Sequence, residues 1–364
     1  MMLSAVYRCV TCISDAVAQL PLEIYNVDAN GYKEKAVGHP LYRLLNSKPN
    51  ARMTRYVFIS AMVQGMLLNG SGYAYILRDD KGTPEQLVFI PSEKVTVLVP
   101  QFLDLPPKYR VEGIRGDVPA DDMIHLVNQT FDGVTGVSTL NFAFNTLELA
   151  HDAEYHARTY FANGCSISGV LKSNQALDDE DVEKIKEGWN RAHSGENTNS
   201  VAVLGYDLDF RAVASSATDA QLLETREFNV VDIARFFGVS PVKVGDLSKS
   251  SYSTVEATQL AFLTDTISPL LEKIELELET KLFPDDPHID VRFDVSQLLR
   301  ADKSSLAQYY NTLFQIGAIT PNEIRRATDL PKVEGGDNNF VQVNLQTLEK
   351  AAQAPAEPQP EKDI

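Results

Sequence analysis

A short polar loop between two long helix-forming blocks is the feature that most constrains this chain. The first block ends at Gly238 and Pro241, because glycine favours the left-handed conformation that closes helices and proline cannot continue one. The second block begins at Ser253, where Ser-Thr-Val-Glu has the spacing of a capping box. Residues 239–253 between them carry two lysines and five serines. The sequence therefore predicts two helices joined by a polar loop without a recognisable catalytic group.

Length and charge narrow the class of protein. A chain of 364 residues can form two or three packed units. Its net charge of −17 argues against a protein that grips nucleic acid tightly, but not against one that nucleic acid slides past. The apolar runs are too short to span a bilayer and the N-terminus has no signal pattern, so we expect no membrane association and a location in cytosol or in a particle assembled there.

The order of elements predicts an α+β, helix-rich fold. Residues up to 137 mix helices with strands, including a hairpin around a DDKG turn. From Ser138 to Gly164 the pattern is that of one unbroken helix of roughly 24 residues, about 36 Å long, with Asn163-Gly164 as its stop. After the polar loop, a further long helix contains Pro269, which removes one backbone hydrogen bond and should kink it. The last residues, 341–364, are polar and proline-rich, which predicts a disordered tail.

Candidate catalytic and metal-binding groups are few. No glycine-rich stretch ends in the Gly-Lys-Ser/Thr of a P-loop. Cys9 and Cys12 have the spacing of a metal pair, but they lie in a helix and only Cys165 remains to complete a site, so we expect structural thiols. His151 and His156 are five apart, which separates them by about 140° around a helix. We therefore predict no catalytic residue, metal or cofactor, with a metal-dependent hydrolase using these histidines as a remaining alternative.

The lysines of the polar loop, Lys243 and Lys249, allow two interpretations. They can simply keep the loop soluble, or they can belong to a mobile loop that projects towards a polyanion. The sequence pattern alone does not decide between these.

Five blocks, in order, resemble the portal proteins, or head–tail connectors, of long-tailed double-stranded DNA phages. They are spread over most of the chain, and each block alone is only moderately specific. The blocks are SAVYRCVTCISDAVAQLPLEIY, then HPLYRLLNSKPN with NGSGYAYILRDDKGTPEQLVFIPSEKV, then YFANG with SGVLK, then DAQLLETREFNVVDIARFFGVSPVKVGDLSKSSYSTVEATQLAFLTDTISPLLEKIE, and ADKSSLAQYYNTLFQIGAITPNEIRRATDLPKVEGGD.

The resemblance implies a ring, commonly of twelve subunits, at one capsid vertex of the virion, assembled in the host cytoplasm. Double-stranded DNA would be driven through it by terminase and would later leave through it. The implied partners are the terminase large subunit, head–tail connector or adaptor proteins, and the major capsid and scaffolding proteins. The implied parts are a wing (1–137), a first stem helix (138–164), a clip (165–217), a second stem helix (218–238), a tunnel loop (239–253), a kinked wing helix (254–290), a crown (291–340) and a tail (341–364).

Two sets of site residues follow from the resemblance. The tunnel loop would line the narrowest part of the channel through Lys243, Ser248, Lys249, Ser250 and Ser251. The clip would bind terminase and connector proteins through Lys172, Lys184, Lys186, Trp189 and Arg191. The main alternative is another ring-forming connector or scaffold component of a phage-like particle.

Overall fold

The computed structural model divides the chain into two compact units, Met1–Asp294 and Val295–Ile364. The residues that it describes are 3–29, 31–102, 104–162, 169–173, 178–192, 208–212, 228–246, 252–284, 286, 288–295, 303–328 and 330–340. The predicted tail, 341–364, lies outside them. Within the described residues, no helix is both long and apolar enough to cross a membrane.

The first unit contains both helices and strands. Its helices are α1 (Ser4–Ala18), α2 (Tyr42–Asn46), α3 (Arg55–Asn69), α4 (Thr139–Phe142), α5 (Phe144–Ala162), α6 (Asp179–Ala192), α7 (228–236), α8 (Tyr252–Ala261) and α9 (Ser268–Leu282). Its strands are β1 (Leu22–Val27), β2 (Lys33–Lys35), β3 (Ser71–Arg78), β4 (Pro84–Ile90), β5 (Val95–Leu98), β6 (Lys108–Val111), β7 (Asp117–Pro119), β8 (Met123–Val127), β9 (Gly169–Ser173), β10 (Leu208–Ala212) and β11 (Ile289–Phe293). A π-helix, Phe262–Ile267, joins α8 to α9.

The described strands form antiparallel sheets, in the orders β11-β1-β2, β4-β3-β8, β5-β6-β7 and β10-β9. The predicted hairpin is the β3–β4 pair. Its turn is closed by Asp79, whose carboxylate accepts hydrogen bonds from the amides of Lys81 and Thr83 at 2.9 and 2.8 Å. The mixture of helix and antiparallel sheet confirms the predicted α+β class.

The core of the first unit begins with α1, which packs against α3, and α3 packs in turn on β3. The α1 residues Val6, Val10, Ile13 and Val17 are all buried, as their helical spacing predicts. Cys9 shares this buried face. Burial is the main reason that the pKa of the Cys9 thiol rises to about 12, which suits a structural thiol.

Helix α9 lies along the outer strands of two sheets. On one side, Glu275 accepts the amide of Phe293 at 2.8 Å and Glu279 accepts the amide of Val291 at 2.7 Å. These two carboxylates are four residues apart, so they share the helix face that meets β11. They satisfy outward-pointing N–H groups that β1 cannot reach.

A second row of α9 side chains follows β8 and its ends. Its members are spaced i, i+4 and i+8, and each bonds to the main chain. The Lys273 ammonium donates to the Asn128 carbonyl at 2.8 Å. The Glu277 carboxylate accepts the His125 amide at 2.9 Å. The Lys281 ammonium donates to the Ala120 carbonyl at 2.7 Å. Burial raises the pKa of Glu277, the middle member of the row. One helix thus connects the edges of sheets β11-β1-β2 and β4-β3-β8.

A buried polar chain runs through His125. Its Nδ1 lies 3.1 Å from the Tyr109 hydroxyl and its Nε2 lies 3.0 Å from the Ser71 hydroxyl. The imidazole stacks on Tyr73 with ring centroids 4.5 Å apart. Burial, and then the charge of Lys281, lower the pKa of His125 to about 4. Ser71 and His125 are 4% and 8% exposed, so this serine–histidine pair stabilises the core and is closed to a substrate.

The chain approaches α4 through a backbone crossing. Gly70 closes α3 with a φ of +88°, and a Cβ at Gly136 would lie 1.9 Å from the Gly70 carbonyl oxygen. Only glycine permits such an approach. Ser138 then caps α4 by accepting the Leu140 amide at 3.0 Å, and its hydroxyl donates to the carbonyl of Leu68.

Two predicted boundaries differ from the structure. The helix expected to run unbroken from Ser138 is interrupted at Ala143, which has non-helical backbone angles between α4 and α5. Ala143 is fully buried, so packing rather than helix propensity determines the break. Strand β11 pairs with β1, so residues 291–293 lie in the first unit rather than with the helices that follow.

The second unit contains α10 (Lys303–Gln315) and α11 (Pro321–Ala327). The capping box predicted at Thr320 and Glu323 is present. Asn322 is buried, donating to the Val333 carbonyl at 3.0 Å and to the Asp337 carboxylate at 2.9 Å. These bonds fold the segment after α11 back onto its first turn.

We expect His125→Phe to change how stability depends on pH. The unfolded histidine takes up a proton near pH 6.5 and the folded one near pH 4, so wild type loses stability as the pH falls through that interval. The variant keeps a ring against Tyr73 but does not titrate, so its unfolding free energy should fall less over the same interval. At pH 8 it should be about 1–3 kcal/mol less stable, because two buried hydroxyls lose a partner.

Urea unfolding between pH 4 and 8 measures both effects. The control is His288→Phe, since His288 is exposed. If the unfolding free energies of the two variants changed equally with pH, His125 would not titrate as described.

Candidate functional site

Helix α7 ends in a Schellman motif at the base of the predicted loop. Gly238 has a φ of +65°, its amide bonds to the Arg235 carbonyl at 3.1 Å, and the Val239 amide bonds to the Ala234 carbonyl at 2.9 Å. The predicted stop at Gly238 is therefore confirmed. The Gly238 carbonyl also accepts a hydrogen bond from the Thr266 hydroxyl, which ties the end of α7 to the π-helix.

The loop itself is described only at its two ends. A 3₁₀ helix, Pro241–Val244, follows Gly238 and ends at Gly245. Helix α8 begins at Tyr252, one residue before the Ser253 expected to cap it. Of the predicted channel residues, Lys243 lies in the 3₁₀ helix. The others, Ser248, Lys249, Ser250 and Ser251, lie outside the described residues.

The side chain and the carbonyl of Lys243 both have partners within the chain. Its Nζ lies 3.2 Å from the Gln259 side-chain oxygen and 4.5 Å from the centroid of the Phe262 ring. Arg8 of α1 donates from Nε to the Lys243 carbonyl at 3.3 Å. The residue is half-buried, and its ammonium group has partners within the chain. Sequence reasoning missed these partners because no local pattern pairs residue 243 with residue 8.

The irregular segment of the following helix lies just before Pro269. The π-helix ends at Ile267, and Ser268 donates from its hydroxyl to the Leu263 carbonyl at 2.8 Å. Pro269 occupies the first turn of α9, a position where a missing amide hydrogen is tolerated. The kink that we assigned to Pro269 stays a prediction.

The predicted clip residues are distributed over β9 and α6. Lys172 is exposed on β9, directly opposite Asp209 of β10. Trp189 is half-buried near the end of α6. Arg191 belongs to the same helix, but its side chain lies outside the described part.

The two other clip lysines form surface ion pairs along α6. Lys184 lies 2.9 Å from Glu180, and Lys186 lies 3.9 Å from Glu183. All four side chains are largely exposed. Such pairs contribute little to stability, so these charges remain accessible to a partner.

The residues that suggested a metal site do not form one in the described chain. His151 and His156 are both exposed on α5. Among the described residues, no group of three histidine, cysteine, aspartate or glutamate side chains is placed to hold a metal ion. Cys12 is partly buried beside Cys9, and Cys165 lies outside the described residues.

Comparison with known proteins gives concordant matches. The family model for phage portal protein matches residues 4–329. The chain is 30% identical over 342 residues to the portal protein of Enterobacteria phage HK97, covering 92% of this chain and 80% of that protein. It is 27% identical over 368 residues to the probable portal protein of Streptomyces phage phiC31, covering 94% and 78%.

Two solved structures share the fold. An HK97-family phage portal protein from Corynebacterium diphtheriae aligns with a TM-score of 0.61 at 22% identity, covering 82% of this chain and 94% of that chain. A chain in the neck of a native gene transfer agent particle, computed with C12 symmetry, also aligns with a TM-score of 0.61 at 22% identity, covering 91% of each chain.

We expect Gly238→Ala to destabilise the first unit by about 1–2 kcal/mol, because an alanine is strained at positive φ. Its Cβ would also lie 3.3 Å from the Thr266 hydroxyl. The matched control is Gly188→Ala in α6, where the new Cβ meets nothing within 4 Å. Alanine there should stabilise the helix by about 0.5–1 kcal/mol. Urea unfolding followed by circular dichroism measures both changes, and equal shifts in one direction would contradict the assigned helix end.

Proposed function

The chain belongs to the phage portal protein family, and on that premise we propose that its copies close into the capsid ring through which double-stranded DNA is packaged and ejected. The observation that carries the proposal is the family match over residues 4–329. The related fold in a neck computed with C12 symmetry favours twelve copies. We place the ring at one vertex of the virion, assembled in the host cytoplasm against the major capsid and scaffolding proteins.

Exposed aromatic side chains support self-association. Phe144 and Tyr155 of α5, and Phe228 and Phe236 of α7, are all exposed on the isolated subunit. Burying such side chains against a neighbour is favourable, since apolar surface is removed from water. In a ring, one flank of each copy meets a different flank of the next, so these two stem helices can pair between copies.

The loop 239–253 is proposed to border the channel. Ser248, Lys249, Ser250 and Ser251 would then make brief phosphate contacts that read no sequence and set no register. A lone exposed lysine charge is screened by salt, which keeps the contact weak. The net charge of −17 per copy further discourages DNA from sticking.

Electron microscopy of the purified protein tests the ring and the loop together. We expect end views of a closed ring with a central hole, a mass near that of twelve copies by light scattering, and residues 239–253 beside the hole. Particles without a pore, or a loop on the outer rim, would exclude this function. A monomer or dimer would instead favour the hydrolase alternative.

The clip is proposed to bind the terminase large subunit during packaging and connector proteins afterwards. The exposed lysines of α6 and β9, and the half-buried Trp189 near the end of α6, are charged and aromatic groups of the kind that interfaces use. The motor would be the partner, since this chain carries no P-loop sequence.

Deleting residues 172–211 should abolish binding to terminase while leaving ring formation intact, because the deleted segment lies between the stem helices. Co-sedimentation of purified rings with terminase measures the binding, and microscopy of the same sample shows whether the rings form. Wild-type binding by a deleted ring would remove the clip assignment.

A further inference from the structure

The two ends of the loop are tied together by side chains. We define the first limb as residues 238–246 and the second limb as residues 252–267. Between them, Lys243 reaches Gln259 and the ring of Phe262, while Thr266 donates to the carbonyl of Gly238. Gln259, Phe262 and Thr266 are spaced i, i+3 and i+7, so the second limb presents one continuous face to the first.

Lys243 is the residue on which this contact centres. Its ammonium group lies over an aromatic ring that is 7% exposed, and a cation held on a sheltered ring face is bound more firmly than one in water. Its backbone carbonyl accepts a hydrogen bond from Arg8 of α1 at 3.3 Å. Three elements that are distant in sequence therefore meet at one lysine.

We propose that Lys243 is a positioning residue, a clasp that holds the two limbs of the loop together, rather than a phosphate contact. A phosphate would have to share the ammonium group with Gln259 and Phe262, which already hold it. The inference rests on the proposed function only in treating residues 239–253 as the loop beside the channel. Lys249 then remains the loop lysine assigned to DNA.

Backbone amide exchange of the purified full-length protein, without DNA, tests the clasp. Lys243→Met keeps an unbranched side chain but removes the cation, so exchange in both limbs should rise roughly tenfold. Lys243→Arg keeps a cation that stacks on aromatic rings and should exchange like wild type. Lys81→Met, at an exposed lysine of the β3–β4 turn, is the matched control and should leave both limbs unchanged.

A double-mutant cycle identifies the partner. Phe262→Leu keeps a buried apolar group without an aromatic face, and it should raise exchange as Lys243→Met does. The double variant should show no further increase, because the two residues act through one contact. Wild-type exchange in α3 and β3, which pack together in the same unit outside both limbs, checks that each variant folds.

Unchanged limb exchange in Lys243→Met, or an equal rise in Lys81→Met, would overturn the clasp. Additive effects in the double variant would overturn the pairing with Phe262. The measurement needs neither ring nor DNA. If microscopy shows no pore but the exchange results are as expected, the proposed function fails and the clasp stands. If rings form but limb exchange is unchanged in Lys243→Met, the proposed function stands and the clasp fails.

Discussion

Two sheet edges are closed by the side chains of one helix, and the arrangement of the first unit depends on this contact. β11 and β8 are outer strands, so each has main-chain N–H groups that no neighbouring strand can accept. Helix α9 supplies Glu275 and Glu279 to β11 and Glu277 to β8. Leaving a buried amide without an acceptor costs about 1–3 kcal/mol, so the two sheets are held where α9 can serve both.

This arrangement explains why α9 carries charges on faces that are not exposed. Glu275 is only 7% exposed, and it is paired with Arg292 at 2.7 Å as well as with the Phe293 amide. A helix that packed through apolar residues alone would leave the strand edges unsatisfied. The apolar residues Leu271, Ile274 and Leu278 are buried on the same helix, so the hydrophobic and polar contacts reinforce one another.

Local signals in the sequence predicted much of the fold. The stripe of α1, the DDKG hairpin, the stop at Gly238 and the capping box at Thr320 each depend on neighbours a few residues away, and each is present. The break at Ala143 had no such signal, since alanine is the strongest helix former and burial determines its conformation.

The candidate site was less accessible to sequence reasoning. The composition of the loop indicated polarity and charge, but it did not indicate which lysine is already bound within the subunit. Lys243 is held by residues 8, 259 and 262, and such contacts emerge only when the chain has folded. The family resemblance, in contrast, rests on whole blocks in order, which is why it identified the fold and the protein class together.

The crossing at Gly70 and Gly136 bears on how this subunit can vary. The two glycines let the end of α3 and the approach to α4 meet main chain against main chain, and the Ser138 hydroxyl adds a hydrogen bond to the Leu68 carbonyl there. A side chain at Gly136 would force the two segments apart, so the route by which the chain enters α4 can persist only while that position remains glycine.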